Sequence, residues 1–124
     1  MEAEALNIPA VVAGVVAGFV FGAIVYHPKL LGTIWANGSG LSLDSKPPVL
    51  AFILQVLALL CLALVVGITA TISFLGTALL AIAGSALFVA SGGVFQRKTT
   101  GAMLVDALYI VGAGALMIVM QGLL

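Results

Sequence analysis

The sequence has very little charge: Asp, Glu, Lys and Arg make up 6% of its 124 residues and cancel to a formal net charge of +0. A soluble domain carries about a quarter charged residues. A chain of this size could not bury the 64% of its residues that are hydrophobic. The composition therefore excludes an ordinary soluble domain, and the balanced charge argues against a nucleic-acid partner.

The chain is equally poor in residues for chemistry, with one cysteine, Cys61, and one histidine, His27. A single cysteine cannot form a disulfide within the chain. A metal site needs three or four ligands, and no spacing brings His27, Cys61 and an acidic residue together. A serine hydrolase is unsupported because there is no G-x-S-x-G motif and no second histidine. We therefore expect no enzyme activity, no cofactor and no metal.

The N-terminus lacks the features of a signal peptide or a lipid anchor. Met1 to Glu4 is acidic, whereas a signal peptide begins with positive charge. There is no glycine at position two and no C-terminal cysteine to carry a lipid. We expect the first apolar segment to be retained as a helix.

Four apolar stretches dominate the chain, and each is close to the roughly twenty residues that cross a bilayer core. Residues 8–26 form the first, which His27 and Pro28 end because the residue before proline disfavours a helix. Residues 49–95 are uncharged and long enough for two spans, placed at 50–68 and 73–94, with Ser73 as the expected cap of the second. Residues 102–123 form the last. The predicted fold is a single all-α domain, residues 1–124, built as an up-and-down bundle of four transmembrane helices.

The one long polar connection, residues 29–48, carries apolar residues at helical spacing around Trp35. We expect a short helix on the membrane surface, with Trp35 as its interfacial anchor. Successive loops alternate sides, so every Lys and Arg falls on one side of the membrane: Lys29, Lys46, Arg97 and Lys98. The positive-inside rule predicts that this side is cytoplasmic and that both termini lie on the opposite side.

A strip of glycines, Gly14, Gly18 and Gly22, recurs every four residues along one face of the first span. Two overlapping G-x-x-x-G repeats indicate a helix-packing face, since small residues let two backbones approach closely. Two partners for the strip stay open. We favour another helix of the same chain, and the alternative is a second copy in a homo-oligomer.

Asp106 is the one ionisable residue within a predicted span, and a carboxylate in hydrocarbon is costly. It lies about 9 Å along the helix from Thr100, at 1.5 Å per residue. The topology brings other polar residues to the same level, and Tyr109 shares the helix face of Asp106. The predicted cytoplasmic-side polar cluster comprises Tyr26, His27, Arg97, Lys98, Asp106 and Tyr109. We favour a structural role for it, with a proton or cation site as the alternative.

Two motifs stand out: G-x-x-x-Y-x-P-x-x-x-G-x-x-W from Gly22 to Trp35, and F-x-R-K from Phe95 to Lys98 ahead of the last span. With them, the chain resembles the bacterial domain-of-unknown-function family 1761 over nearly its whole length. The resemblance implies a small four-span membrane protein with no established activity. Asp106 stands where an amide is expected in that family, and His27 where a small residue is commoner.

Two classes of function remain. The first is a non-enzymatic protein that acts by helix packing, as a self-associating bundle or as an accessory subunit of a larger membrane complex. The second is a small channel or transporter for protons, ions or a modest solute. Transporters usually have broken helices or charges near the midplane, and the sequence shows neither. We expect the bacterial inner membrane as its location, with the lipid bilayer and a second copy or a larger complex as partners.

Overall fold

The structure, a computed structural model, describes residues 5–42 and 46–124, and the regular secondary structure in those ranges is entirely helical. The helices are α1 (Ile8–Val25), α2 (Thr33–Ser39), α3 (Val49–Thr71), α4 (Leu75–Phe95) and α5 (Thr100–Leu123). Within these ranges, α1, α3, α4 and α5 are the four that are long and apolar enough to cross a membrane. The all-α class is therefore confirmed. The acidic residues Glu2, Glu4 and Asp44 lie outside the described residues.

Helix α3 extends past its predicted end at residue 68, to Thr71. The hydroxyls of Thr69 and Thr71 donate to the carbonyls of Val65 and Ile68, 2.8 and 2.6 Å away. These threonines thus satisfy their polar groups inside the helix, where a turn was expected.

Ser73 does not cap α4, so that prediction was wrong. Its φ of 53° is left-handed, and the residue before α4 is Phe74, whose side chain makes no capping bond. The amides of Phe74 and Ser73 donate instead to the carbonyls of Thr69 and Ala70, at 2.9 and 3.2 Å. This pattern closes a helix at a left-handed residue. The backbone of Ser73 therefore closes the end of α3, and α4 begins after it.

The reversal from α4 to α5 repeats this pattern with Arg97, whose φ is 60°. The amide of Lys98 donates to the carbonyl of Gly93 at 2.9 Å. Thr99 then caps α5, since its hydroxyl accepts the amide of Ala102 at 3.2 Å. The turn reverses the chain direction within four residues and places Lys98 just before the cap of α5.

Helix α5 lies at the centre of the bundle, where it packs against α1, α4, α2 and, less extensively, α3. The pair α1 and α5 has the most extensive packing of all. Large apolar side chains on the outside stay exposed, as with Phe88 at 82%. Such an exterior suits lipid tails, in which an apolar side chain pays no hydration penalty. The core is formed by Val11, Val25, Leu59, Ala63, Val66, Ala78, Ile82, Val105, Tyr109, Ala113 and Met117.

The glycine strip of α1 faces α5. A methyl group built on Gly14 would lie 3.1 Å from Cγ of Met117, and one built on Gly22 would lie 2.8 Å from the Tyr109 ring. Gly18, between them, is also buried. A methyl group built on Gly18 would lie 2.9 Å from Cδ2 of Leu59 in α3 and 3.5 Å from Cβ of Ala113 in α5. Within the chain, α5 and Leu59 of α3 therefore occupy the face that the sequence left open to either of two partners.

Helix α5 contributes glycines of its own that the sequence analysis did not single out. A methyl group on Gly114 would lie 2.5 Å from Cδ1 of Ile82 in α4, and one on Gly112 would overlap the ring of Phe21 in α1. Small residues on two sides of α5 thus let both neighbouring helices approach it closely.

We predict that Gly22→Ala lowers the stability of the folded bundle by about 1 to 3 kcal/mol, because the added methyl overpacks against the Tyr109 ring. The matched control is Gly122→Ala near the end of α5, where nothing lies within 4 Å of an added methyl. That change should be neutral or stabilising by up to about 1 kcal/mol, since alanine is the better helix former. Circular dichroism of denaturant unfolding in a mild detergent compares the two, and equal midpoints would contradict the close contact.

Candidate functional site

The polar cluster is centred on Asp106, which is 8% exposed in the second turn of α5. The hydroxyl of Tyr26, directly after α1, donates to Oδ1 of Asp106 at 2.5 Å. The ammonium of Lys98, in the loop before α5, forms an ion pair with Oδ2 at 3.0 Å. Both carboxylate oxygens thus have partners, from two different segments. This offsets the cost of placing the charge in an apolar bundle.

Tyr26 is held as a hydrogen-bond donor. Burial, reinforced by the Asp106 carboxylate, raises the pKa of its phenol well above the usual range. The hydroxyl therefore stays protonated under ordinary conditions and ties the end of α1 to α5.

Aromatic rings lie beside this ion pair. The centroids of Tyr26 and Trp35 are 5.1 Å apart with an interplanar angle of 76°, and those of Tyr26 and Tyr109 are 5.6 Å apart at 65°. These are edge-to-face contacts, a favoured geometry for ring pairs. Nζ of Lys98 lies 5.7 Å from the centroid of the Trp35 ring, within range of a cation–π interaction. The ammonium therefore has both a carboxylate and an indole face as neighbours.

Tyr109 connects the cluster to α3. Its hydroxyl accepts a hydrogen bond from Nε2 of Gln55, and its ring stacks on Phe21 with centroids 6.2 Å apart. Gln55 was not among the predicted cluster residues. A signal for it exists, because Gln55 and Asp106 each lie six residues into a helix that starts at the same end of the bundle.

The structure does not bring two predicted members, His27 and Arg97, into the cluster. Both side chains are exposed. Nδ1 of His27 accepts the amide of Lys29 at 3.1 Å, which fixes the start of the turn before α2. Arg97 occupies the left-handed corner, and the next residue, Lys98, is the one that reaches Asp106.

Trp35 lies on α2, which packs on the start of α5 through a bond from the amide of Thr99 to the carbonyl of Gly38 at 3.0 Å. The indole is half-buried against Tyr26, and its Nε1 is buried with no hydrogen-bond partner. The ring therefore belongs to the end of the bundle. Its predicted role as a membrane-interface anchor stays a prediction.

The centre of the bundle beyond the cluster is apolar. Twelve residues, about 18 Å of helix at 1.5 Å per residue, separate Tyr109 from Gln121 on α5. The buried α5 residues between them include Ala113 and Met117. At the far end, α3, α4 and α5 line an open cavity of about 240 Å³. Its lining residues are Val66, Thr69, Ala70, Ser73, Phe74, Leu75, Ala78, Ile118 and Gln121. The two polar ends are therefore separated by a packed apolar layer.

The described side chains offer little for covalent chemistry. No three His, Cys, Asp or Glu side chains among them lie close enough to hold a metal ion. Cys61 is exposed on α3. The arrangement around Asp106 can hold one positive charge against one negative charge and can exchange hydrogen bonds.

A family model described as "Protein of unknown function (DUF1761)" matches residues 9–122. The chain belongs to this family. The match confirms the resemblance carried by the motifs of the first span and the loop before the last, and it includes every residue of the polar cluster. No curated protein and no solved structure matches the chain. Membership of DUF1761 assigns no activity, so a function has to be argued from the geometry.

We predict an asymmetry between the two halves of the ion pair. Lys98→Met leaves the Asp106 carboxylate without its cation and should destabilise the bundle by about 2 kcal/mol, somewhat less than for a fully buried pair. Asp106→Asn should cost under about 1 kcal/mol, because an amide still accepts from Tyr26 and the long Lys98 side chain can reach water.

The double variant with both changes should recover most of the stability lost in Lys98→Met alone. Lys29→Met, at an exposed lysine of the same end, is the control and should stay within about 0.5 kcal/mol of the parent. Unfolding midpoints in detergent test all four variants. A larger loss in Asp106→Asn than in Lys98→Met would contradict the asymmetry.

Proposed function

We propose that this DUF1761 protein is a non-enzymatic integral membrane protein of the bacterial inner membrane that acts by helix packing. It serves as a self-associating bundle or as a subunit that docks on a larger membrane complex. The observation that carries the proposal is the contrast between an apolar interior, closely packed where α1 meets α5, and an apolar exterior with unfilled small-residue positions on α4.

The exterior of α4 supports docking. A methyl group built on Gly76, Gly84 or Gly92 of this helix would meet nothing within 4 Å. Positions eight residues apart differ by about 80° around a helix, so these glycines spread over the outer side of α4 and do not form a single strip. The large side chains Leu80 and Phe88 alternate with them and are 74% and 82% exposed. Helices associate in membranes through such close packing of small and large residues.

The apolar interior of the bundle argues against ion conduction through a single copy of the chain. A pathway for ions needs polar groups or water along its length. Between the cluster around Asp106 and the opposite end, the core residues are apolar, among them Leu59, Ala63 and Met117. Side-chain hydrogen bonds among the described residues lie towards the two ends, except that the hydroxyl of Ser85 donates to the carbonyl of Ala81 in its own helix. A transport route would therefore require several copies.

A small channel or transporter for protons, ions or a modest solute is the second candidate function. The observation that favours it is the cluster itself, because an ionisable residue at membrane depth with aromatic and cationic neighbours is often part of a pathway. Asp106 is 8% exposed and contacts Tyr26 and Lys98, which are at the edge of the bundle.

The test combines assembly with flux. Native mass spectrometry of the protein extracted in a mild detergent should give a stable oligomer or a defined complex with another membrane protein. Liposomes that hold the protein should show no proton or cation flux above empty liposomes. A reproducible flux that Asp106→Asn abolishes, with a monomeric mass in detergent, would replace the packing function with the transport function.

We also predict a single orientation in the membrane, with the end that carries Lys29, Lys46, Arg97 and Lys98 in the cytoplasm. In a Cys61→Ala background, Leu41→Cys and Ile72→Cys place thiols at opposite ends on residues that are 47% and 48% exposed. An impermeant thiol reagent added to intact cells should label Ile72→Cys and not Leu41→Cys until the membrane is opened. Labelling of both from outside would contradict a single orientation.

A further inference from the structure

The ammonium group of Lys98 contacts side chains from two helices, α5 and α2. Asp106 Oδ2 is 3.0 Å from Nζ, and the Trp35 ring centroid is 5.7 Å away. Tyr26 packs its ring against Trp35 and donates its hydroxyl to the other oxygen of Asp106. Carboxylate and aromatic face together are the two groups that recognise an organic cation.

We propose that Asp106, Trp35 and Tyr26 form a binding site for a primary ammonium group, and that Lys98 occupies this site in the resting chain as a tethered competitor. An ammonium-bearing ligand binds by displacing the Lys98 side chain. The proposal goes beyond the packing function and does not depend on it.

The geometry selects a cation that carries an N–H donor, and the group that fills it, Lys98, is a primary ammonium. The 3.0 Å separation between Nζ and Oδ2 is a charge-assisted hydrogen bond, which requires an N–H donor. A quaternary ammonium has no such donor, although it can still lie over the indole. A metal cation prefers several oxygen ligands. Here Oδ1 is already engaged by the Tyr26 hydroxyl, and the remaining wall is aromatic.

The site is accessible and Lys98 can leave it. The side chains of Lys98 and Asp106 are 19% and 12% exposed, so the ion pair reaches the surface of the bundle. Lys98 lies in the short loop between α4 and α5, and a lysine stem is long enough to carry its charge out to water. One ammonium then replaces another, and the carboxylate stays compensated throughout.

Two sources of the ligand share this chemistry: a free primary amine and the headgroup of phosphatidylethanolamine. Both present an –NH₃⁺ group at neutral pH, as a lysine does. The end of the bundle that holds the site also carries the exposed cations Lys46 and Arg97. Exposed cations there suit the phosphate of such a headgroup.

Trp35 is the one tryptophan in the chain, so its fluorescence reports on the site directly. Purified protein in a mild detergent at pH 7 is titrated with ethylammonium chloride, with sodium chloride and tetramethylammonium chloride at equal ionic strength as references. The parent should show a saturable change in Trp35 emission with ethylammonium only. Lys98→Ala should bind with an apparent Kd lower by about tenfold or more, the factor expected if Lys98 fills the site nine-tenths of the time.

Two further variants separate binding from a general effect of salt. Asp106→Asn should lose the saturable response, and Lys29→Ala, at an exposed lysine of the same end, should respond as the parent does. If Lys98→Ala is poorly folded by circular dichroism, ethylammonium should raise its unfolding midpoint more than either reference salt does. Lys98→Met, which keeps the bulk of the stem, serves as a second variant for the same rescue.

The source is distinguished in nanodiscs, where phosphatidylcholine alone is compared with a mixture containing phosphatidylethanolamine. A shift of Trp35 emission with the mixture assigns the lipid headgroup, and a response to soluble ethylammonium alone assigns a free amine. The proposal is overturned if folded Lys98→Ala gives identical titrations with ethylammonium, tetramethylammonium and sodium, or if Asp106→Asn responds as strongly as Lys98→Ala.

Discussion

The close approach of α1 and α5 is the contact on which the rest of the structure depends. Gly14 and Gly22 leave room for Met117 and for the ring of Tyr109. Because the two helices lie so near each other, Tyr26 at the end of α1 meets Asp106 of α5 at hydrogen-bond distance. A bulkier side chain along the strip would force the two helix axes apart, and the polar contacts would be lost with them. Packing in the middle of the bundle therefore sets the geometry of the polar cluster.

A single buried carboxylate then organises one end of the bundle. Left alone, the charge of Asp106 would make an apolar helix costly to bury, and its two partners come from different segments. Tyr26 follows α1 and donates to Asp106, and Lys98 precedes α5 and pairs with Asp106. Trp35 lies on α2, and its ring is beside the Lys98 ammonium. The short helix is thereby held against the bundle by a charge as well as by apolar contact. The opposite end has no ion pair among the described residues, and main-chain hydrogen bonds close its turn between α3 and α4.

The sequence predicted the features that depend on position along one helix. Hydropathy located the four long apolar helices, and periodicity placed the strip of Gly14, Gly18 and Gly22 on one face. Helix depth brought Asp106 level with Tyr26 and Lys98. Features that depend on the rotation of a helix about its own axis, or on the backbone torsion of a single residue, were not predictable in this way. Gln55 meets Tyr109 only because of how α3 is turned, and Lys98 rather than Arg97 reaches Asp106 because Arg97 takes the left-handed corner. Ser73 was wrongly assigned as the cap of α4, because its left-handed backbone closes the end of α3.

The helices with the most extensive packing are the first and the last of the four long ones, which has a consequence for synthesis. At roughly 5 to 20 residues per second, about 4 to 15 seconds separate the emergence of Val25 from that of Thr100. During that interval, α1 has left the ribosome while the helix that covers its glycines does not yet exist. The bundle can close only after α5 has been synthesised. Until then, the glycine face is open to lipid or to whichever neighbouring protein is present in the membrane.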